Sequence, residues 1–225
     1  MNPKLNDNFK LFCDFLGIGD INSKIWFIGI EEGGNITSNN INEQLNICKK
    51  ITDYKSEAVE NTQVWDIISE LLFEKFSDVH KLSRTDYRKK MFNENYSYFF
   101  LTELFPLPKP KLSTWPKQYA DLFGFGQSDY YEYISAVRSR RFPPIYRNWI
   151  EKKPNLTICF GISYRYEFIN LLQLGHIQFE CLHGDRILYY PGENVLLCPF
   201  FNSRYFKDDD KMVVKELIDK TRCVK

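Results

Sequence analysis

The sequence predicts an α/β fold, a three-layer α/β/α arrangement around a central, mainly parallel four-stranded sheet with helices on both faces. Three observations carry this. Four apolar runs dense in β-branched and aromatic residues recur along the chain, at 25–30, 96–103, 155–161 and 194–199. Between them lie stretches with apolar residues at helical spacing, such as Val64, Ile67, Ile68, Leu71, Leu72 and Phe76 on one stripe. Ile25-Trp26-Phe27-Ile28 is apolar at every position, the pattern of a strand covered on both faces.

Taken in order, residues 5–17 carry Leu5, Phe9, Phe12, Phe15 and Leu16 at helical spacing and reach a glycine stop at Gly17. The strand 25–30 follows, and the cap-rich segment 35–40 leads into a helix over 41–51. A stronger helix spans 60–76, and the charged run 81–90 reads as a solvated connection or helix face. After the strand 96–103, residues 104–111 hold Pro106, Pro108 and Pro110 and read as a proline-stiffened loop carrying Lys109 and Lys111. Residues 128–151 read as helix broken at Pro143-Pro144. The strand 155–161 leads through a glycine to a helix near 164–173. A hairpin then joins 177–182 to 186–190, and the last strand, 194–199, precedes a closing helix over 208–221.

With 225 residues the chain fits one domain, 1–225, and its 44% hydrophobic and 16% aromatic content supplies a full core. The formal net charge is only +1, so contact with a polyanion needs a local basic patch. The N-terminus lacks a signal-peptide core and no apolar run approaches the ~20 residues of a membrane helix, so a cytoplasmic protein with no membrane partner is expected. The six cysteines lie far apart with no C-x-x-C pair, as reduced thiols would. His176, Cys181 and His183 offer three ligands where structural zinc takes four, so neither a metal nor another cofactor is expected.

The chemistry concentrates where strands end. The first strand runs into Glu31-Glu32-Gly33-Gly34, and ligands of parallel sheets bind beyond the carboxyl ends of strands. The competing reading is a tight turn with two solvated glutamates. The second strand ends in Glu103, and the loop behind it reads either as a substrate wall or as a plain semi-rigid connection. Arg138-Ser139-Arg140-Arg141 is the densest basic cluster, a phosphate contact or a solvated face. Asn202-Ser203-Arg204 follows the last strand, as a binding loop or as a capping turn.

The order of these segments resembles the uracil-DNA glycosylase superfamily over about 24–220: Gly29-Ile30-Glu31-Glu32-Gly33, Thr102-Glu103 before Pro106, Cys159-Phe160-Gly161, and Cys198-Pro199-Phe200-Phe201-Asn202-Ser203. The resemblance implies that family's fold and cleavage of an N-glycosidic bond in DNA by a monofunctional, cofactor-free, monomeric enzyme. Glu31, with Glu32 as backup, takes the place of the carboxylate or amide that positions water and stabilises the sugar cation; Asn202 joins them as catalytic. Gly29, Ile30, Gly33 and Glu103 fall where the family holds the base, and Lys109, Lys111, Arg140, Ser203 and Arg204 where DNA would be gripped. The sequence departs from the family at Glu103, where an Asn commonly reads the base, and at Cys198, where a His or Asn meets the leaving base. Gly33 stands where uracil-specific enzymes carry a tyrosine. These departures imply a damaged or modified base, including a hypermodified cytosine of phage DNA, and as an acceptor Glu103 suits an exocyclic amino group. Two other classes stay open: a non-catalytic member that binds nucleic acid or protein, and a different α/β hydrolase acting on a small nucleotide or nucleoside.

Overall fold

In the computed structural model, residues 6–33, 36–49, 63–93, 96–111, 113–202 and 204–221 are described, with the backbone alone for Glu32, Gly33, Ile47, Lys49 and 77–80. Alternation along the first long strand builds two cores, because successive side chains of a strand point to opposite faces. In β2 (Ile25–Gly33), Trp26 and Ile28 pack into one buried cluster, and Ile25 and Phe27 into the other. The first cluster is covered by α1 (Asp7–Asp14), α2 (Ile41–Lys49), α5 (Tyr119–Phe123), α6 (Tyr130–Arg140), α7 (Phe142–Lys152) and α8 (Arg165–Leu172). The second lies under α3 (Gln63–His80), α4 (Arg84–Lys90) and α9 (Asp208–Lys220).

The protein is therefore α/β, but among the described residues its sheet is mixed and has seven strands rather than the expected four. The remaining strands are β1 (Ile18–Gly19), β3 (Phe100–Lys109), β4 (Leu156–Phe160), β5 (Glu180–Leu182), β6 (Ile187–Tyr190) and β7 (Val195–Cys198), in the order β1-β3-β2-β4-β7-β6-β5. β3, β2, β4 and β7 pair in parallel; β1 joins one edge and the β5–β6 hairpin the other, all antiparallel. The hairpin was legible, and the short turn 191–194 continues it into β7, with Tyr190 paired to Val195, so the three strands form an antiparallel meander at this edge. β1 has only two residues, too short for any periodic signal. Gly19 (φ +94°) lets it approach, since a Cβ there would lie 2.4 Å from the Phe99 carbonyl oxygen.

One further expectation changes. Residues 104–109 are strand, not loop, because the prolines fall where the ladder is irregular: Glu31 pairs with Phe105 but Gly33 with Lys109, so β3 bulges against β2. The helix expected over 128–151 is interrupted as foreseen, at Arg141 between α6 and α7, and Pro143 and Pro144 sit in the first turn of α7, where proline's missing N–H costs nothing. Among the described residues no helix is long and apolar enough to cross a membrane.

Candidate functional site

Chain order reverses direction across the sheet between β2 and β4, since β3 lies on one side of β2 and β4 on the other. Such a switch point opens a crevice at the carboxyl ends of the strands. A cavity of about 420 Å³ lies there, within the range of small-molecule sites. Its wall takes Glu31 from β2, Thr102, Glu103, Phe105 and Pro106 from β3, Phe160 from β4, and Phe200, Phe201 and Asn202 from the segment after β7. Gln63, Val64 and Trp65 of α3 and Phe12 and Phe15 at the end of α1 close it.

The aromatic part of this wall is rigid. Phe160 and Phe201 stack with centroids 4.4 Å apart and planes 6° from parallel, and Phe201 also meets Phe27 and Phe206. Gly161 makes the adjoining turn: its φ is +115°, its N–H donates to the Cys198 carbonyl at 2.8 Å, and a Cβ would strike Ile30.

Glu31 is the chemical centre. Its carboxyl is buried, with Oε2 3.0 Å from the equally buried Lys109 Nζ, an ion-pair distance. Burial pushes the carboxyl up to about 7, and the Lys109 charge limits the rise. The Lys109 ammonium also stands 5.5 Å from the Tyr130 ring centroid and 5.9 Å from that of Trp115. A carboxyl so placed is half ionised near neutrality, suited to hold and deprotonate water beside a developing cation.

Glu103 sits one strand away, in register with Gly29. Gly29 leaves room for its side chain: a Cβ there would lie 2.1 Å from the Glu103 Oε2. The backbone of Glu103 is held by Arg141, which is 2% exposed and lines the same cavity. Its Nε donates to the Glu103 carbonyl at 2.8 Å, one Nη to the Phe12 and Cys13 carbonyls at 3.2 Å and to that of Phe15, and the other to Thr102 Oγ1 at 3.3 Å. The guanidinium thus satisfies carbonyls at the end of α1, where a cation is favoured.

The structure brings Glu31, Glu103 and Asn202 to one cavity and distributes the other expected residues elsewhere. Glu32 and Gly33 continue β2, Gly33 pairing with Lys109. The Ile30 side chain is buried in the core against Gly161 rather than in the cavity wall. Asn202 Oδ1 accepts from the Arg204 and Tyr205 N–H groups at 3.2 and 3.0 Å, so it holds a turn, the second of its two readings. Lys109 is beneath the site as the partner of Glu31 rather than on a rim, because β3 extends beyond its expected end and carries it inward. Arg140 pairs with Asp14 at 2.6 Å and Arg138 with Glu167, so two of the three clustered arginines are matched by acids and the third is buried. Lys111 and Arg204 are exposed, and Ser203 lies outside the described residues. Cys198 is buried on the α9 side, where burial raises its thiol well above the ordinary range. The sequence marks Lys109 only as a rim residue and Arg141 only as part of a basic run, and nothing local marks Phe105, since the partners that place them come from segments distant in the chain.

His183 does not gather ligands with His176 and Cys181. Its Nδ1 lies 2.9 Å from Asp210 Oδ1, and among the described residues no group of three His, Cys, Asp or Glu could hold a metal. No protein-family model matches the chain, and comparison with curated proteins returns no match.

Proposed function

We propose that the protein is a divergent member of the uracil-DNA glycosylase superfamily, with that family's fold at the core of its sheet. In this reading it hydrolyses the N-glycosidic bond of a flipped-out uracil, damaged or modified base in DNA. The observation that carries this reading is the buried Glu31 carboxyl beside Lys109, on the wall of an aromatic cavity that also holds Glu103. As the C1′–N bond breaks, its electron pair leaves with the base and positive charge builds on the sugar. Ionised Glu31 stabilises that charge, orients a water toward C1′ and takes its proton; the base departs protonated from solvent and an abasic site remains. Glu103 accepts from an exocyclic amino group of the base, and the phenylalanine wall takes the base's face. The setting would be the cytoplasm, in base-excision repair or in defence against phage with modified cytosines.

The test is mass spectrometry of bases released from uracil-containing, deaminated and modified-cytosine phage DNA. Release of one free base is expected, with Glu31→Gln slowing it at least ~100-fold. Two observations favour a second reading, a non-catalytic nucleic-acid- or protein-binding member of the same fold: Lys109 already pairs with Glu31, and Asn202 Oδ1 is occupied by its turn. Retained DNA binding with no base released from any substrate would select it.

A further inference from the structure

Three exposed tyrosines stand around the carboxyl ends of the parallel strands, and two of them carry an arginine. On the segment after β4, Tyr166 is 70% exposed, with the Arg165 guanidinium 4.9 Å from its ring centroid. On the segment after β7, Tyr205 is 49% exposed, with Arg204 5.2 Å from its centroid. β4 and β7 are neighbours in the sheet, and the Gly161 N–H bonds the Cys198 carbonyl, so these two segments leave side by side. Tyr131, 82% exposed, is in the first turn of α6 next to Tyr130, whose ring faces Lys109 at the end of β3.

A large aromatic surface left in water is unusual when it repeats at one end of a sheet. Here each of two rings is joined to a cation for which no acid partner stands among the described residues. Such a pair offers a flat face and a positive charge together, the combination that takes a base and its phosphate. Of the acids next to Tyr205, Asp208 lies 3.2 Å from Lys211 and Asp209 lies 3.9 Å from the His183 ring. In a duplex the base faces are stacked on each other and cannot cover a tyrosine; in a single strand they can.

We infer that this rim, Tyr131, Arg165, Tyr166, Arg204 and Tyr205, binds single-stranded DNA across the mouth of the cavity. This rests on the proposed function only in the identity of the polymer, and its test needs no turnover. Binding of a fluorescein-labelled dT20 is compared with that of a duplex of equal length by anisotropy at several salt concentrations. The single strand binds at least ~10-fold tighter. Tyr166→Ala and Tyr205→Ala each weaken it ~5-fold or more with the salt dependence kept, as loss of one stacked base requires. Arg165→Gln and Arg204→Gln each lower the salt slope by about 0.7. Phe179→Ala, which removes an exposed aromatic just before β5 at the opposite end of the strands, leaves affinity unchanged. All these side chains are exposed, and thermal melts confirm that the variants fold. Equal affinity for duplex, or tyrosine variants that bind like wild type, overturns the inference. Single-strand binding without base release leaves it standing and removes only the catalytic reading.

Discussion

Two buried carboxylates of this protein are treated in opposite ways. Asp210, at the start of α9, is fully buried, which by itself would raise its pKa. The Arg186 guanidinium at 2.6 and 3.0 Å, the Lys207 N–H at 2.9 Å and His183 at 2.9 Å outweigh burial and bring it down to about 2. Glu31 is buried to a similar degree with one cation beside it, and burial wins, leaving it at about 7. The number of donors decides the difference, since an ionised carboxyl has about four lone-pair sites to fill. Asp210 is complete and fastens the β5–β6 hairpin to α9. Glu31 is left incomplete beside a cavity, where a ligand or water can finish its shell.

The sharpest way to break this comparison is to remove the complete one. Asp210→Asn discards the charge on which Arg186 and His183 converge and should cost about 3 kcal/mol in urea unfolding, with the cavity's ligand binding intact. A loss of binding without a loss of stability would reverse the assignments.

The pH dependence should run in opposite directions. Asp210 titrates near 2 in the folded chain, below its ordinary 3.8, so its contribution is whole above about 3.8 and fades as pH falls through 2. Glu31 titrates near 7, above its ordinary 4.5, so its contribution is whole below about 4.5 and fades as pH rises through 7. The stability difference between wild type and Glu31→Gln should therefore shrink from pH 4.5 to 7, whereas that between wild type and Asp210→Asn stays flat there. Unfolding curves at pH 3, 5, 7 and 9 would check both signs.

Lys109→Met removes the charge that holds Glu31 down. The rising limb of the pH–rate profile should move above 7, with activity at pH 7 down about tenfold per unit moved and recovered at higher pH; Lys109→Arg should restore the limb. An unmoved limb would mean that Glu31 is not the titrating group. The smallest effect is expected from Gly29→Ala. Its Cβ meets only the end of the Glu103 side chain, which can swing aside, so stability should change by less than about 1 kcal/mol while ligand affinity falls several-fold. Unchanged affinity would remove Glu103 from the binding surface.

What was legible in the sequence follows from the range of each signal. The central strands were readable because covered strands are apolar at every position, as at Ile25 to Ile28, and because Gly161 punctuates the end of one. Glu31 was readable as lining the crevice because a carboxylate directly after such a run points to a strand's carboxyl end, whereas Glu103 reaches the same cavity from inside β3, which runs on to Lys109. Lys109 was misplaced because three nearby prolines look like a loop, and only the bulged ladder with β2 reveals strand. Arg141 was hidden inside a basic run whose other members do face water. Its burial depends on carbonyls of Phe12, Cys13 and Phe15, more than 120 residues away.

That single guanidinium also determines how the molecule can loosen. It ties the end of α1, the edge of β3 at Thr102 and Glu103, and the junction of α6 with α7 into one knot. The cavity wall beside β3 therefore cannot fray residue by residue. α1 and the edge of β3 open together or not at all, and the amide protons of both should exchange with the solvent as one cooperative unit.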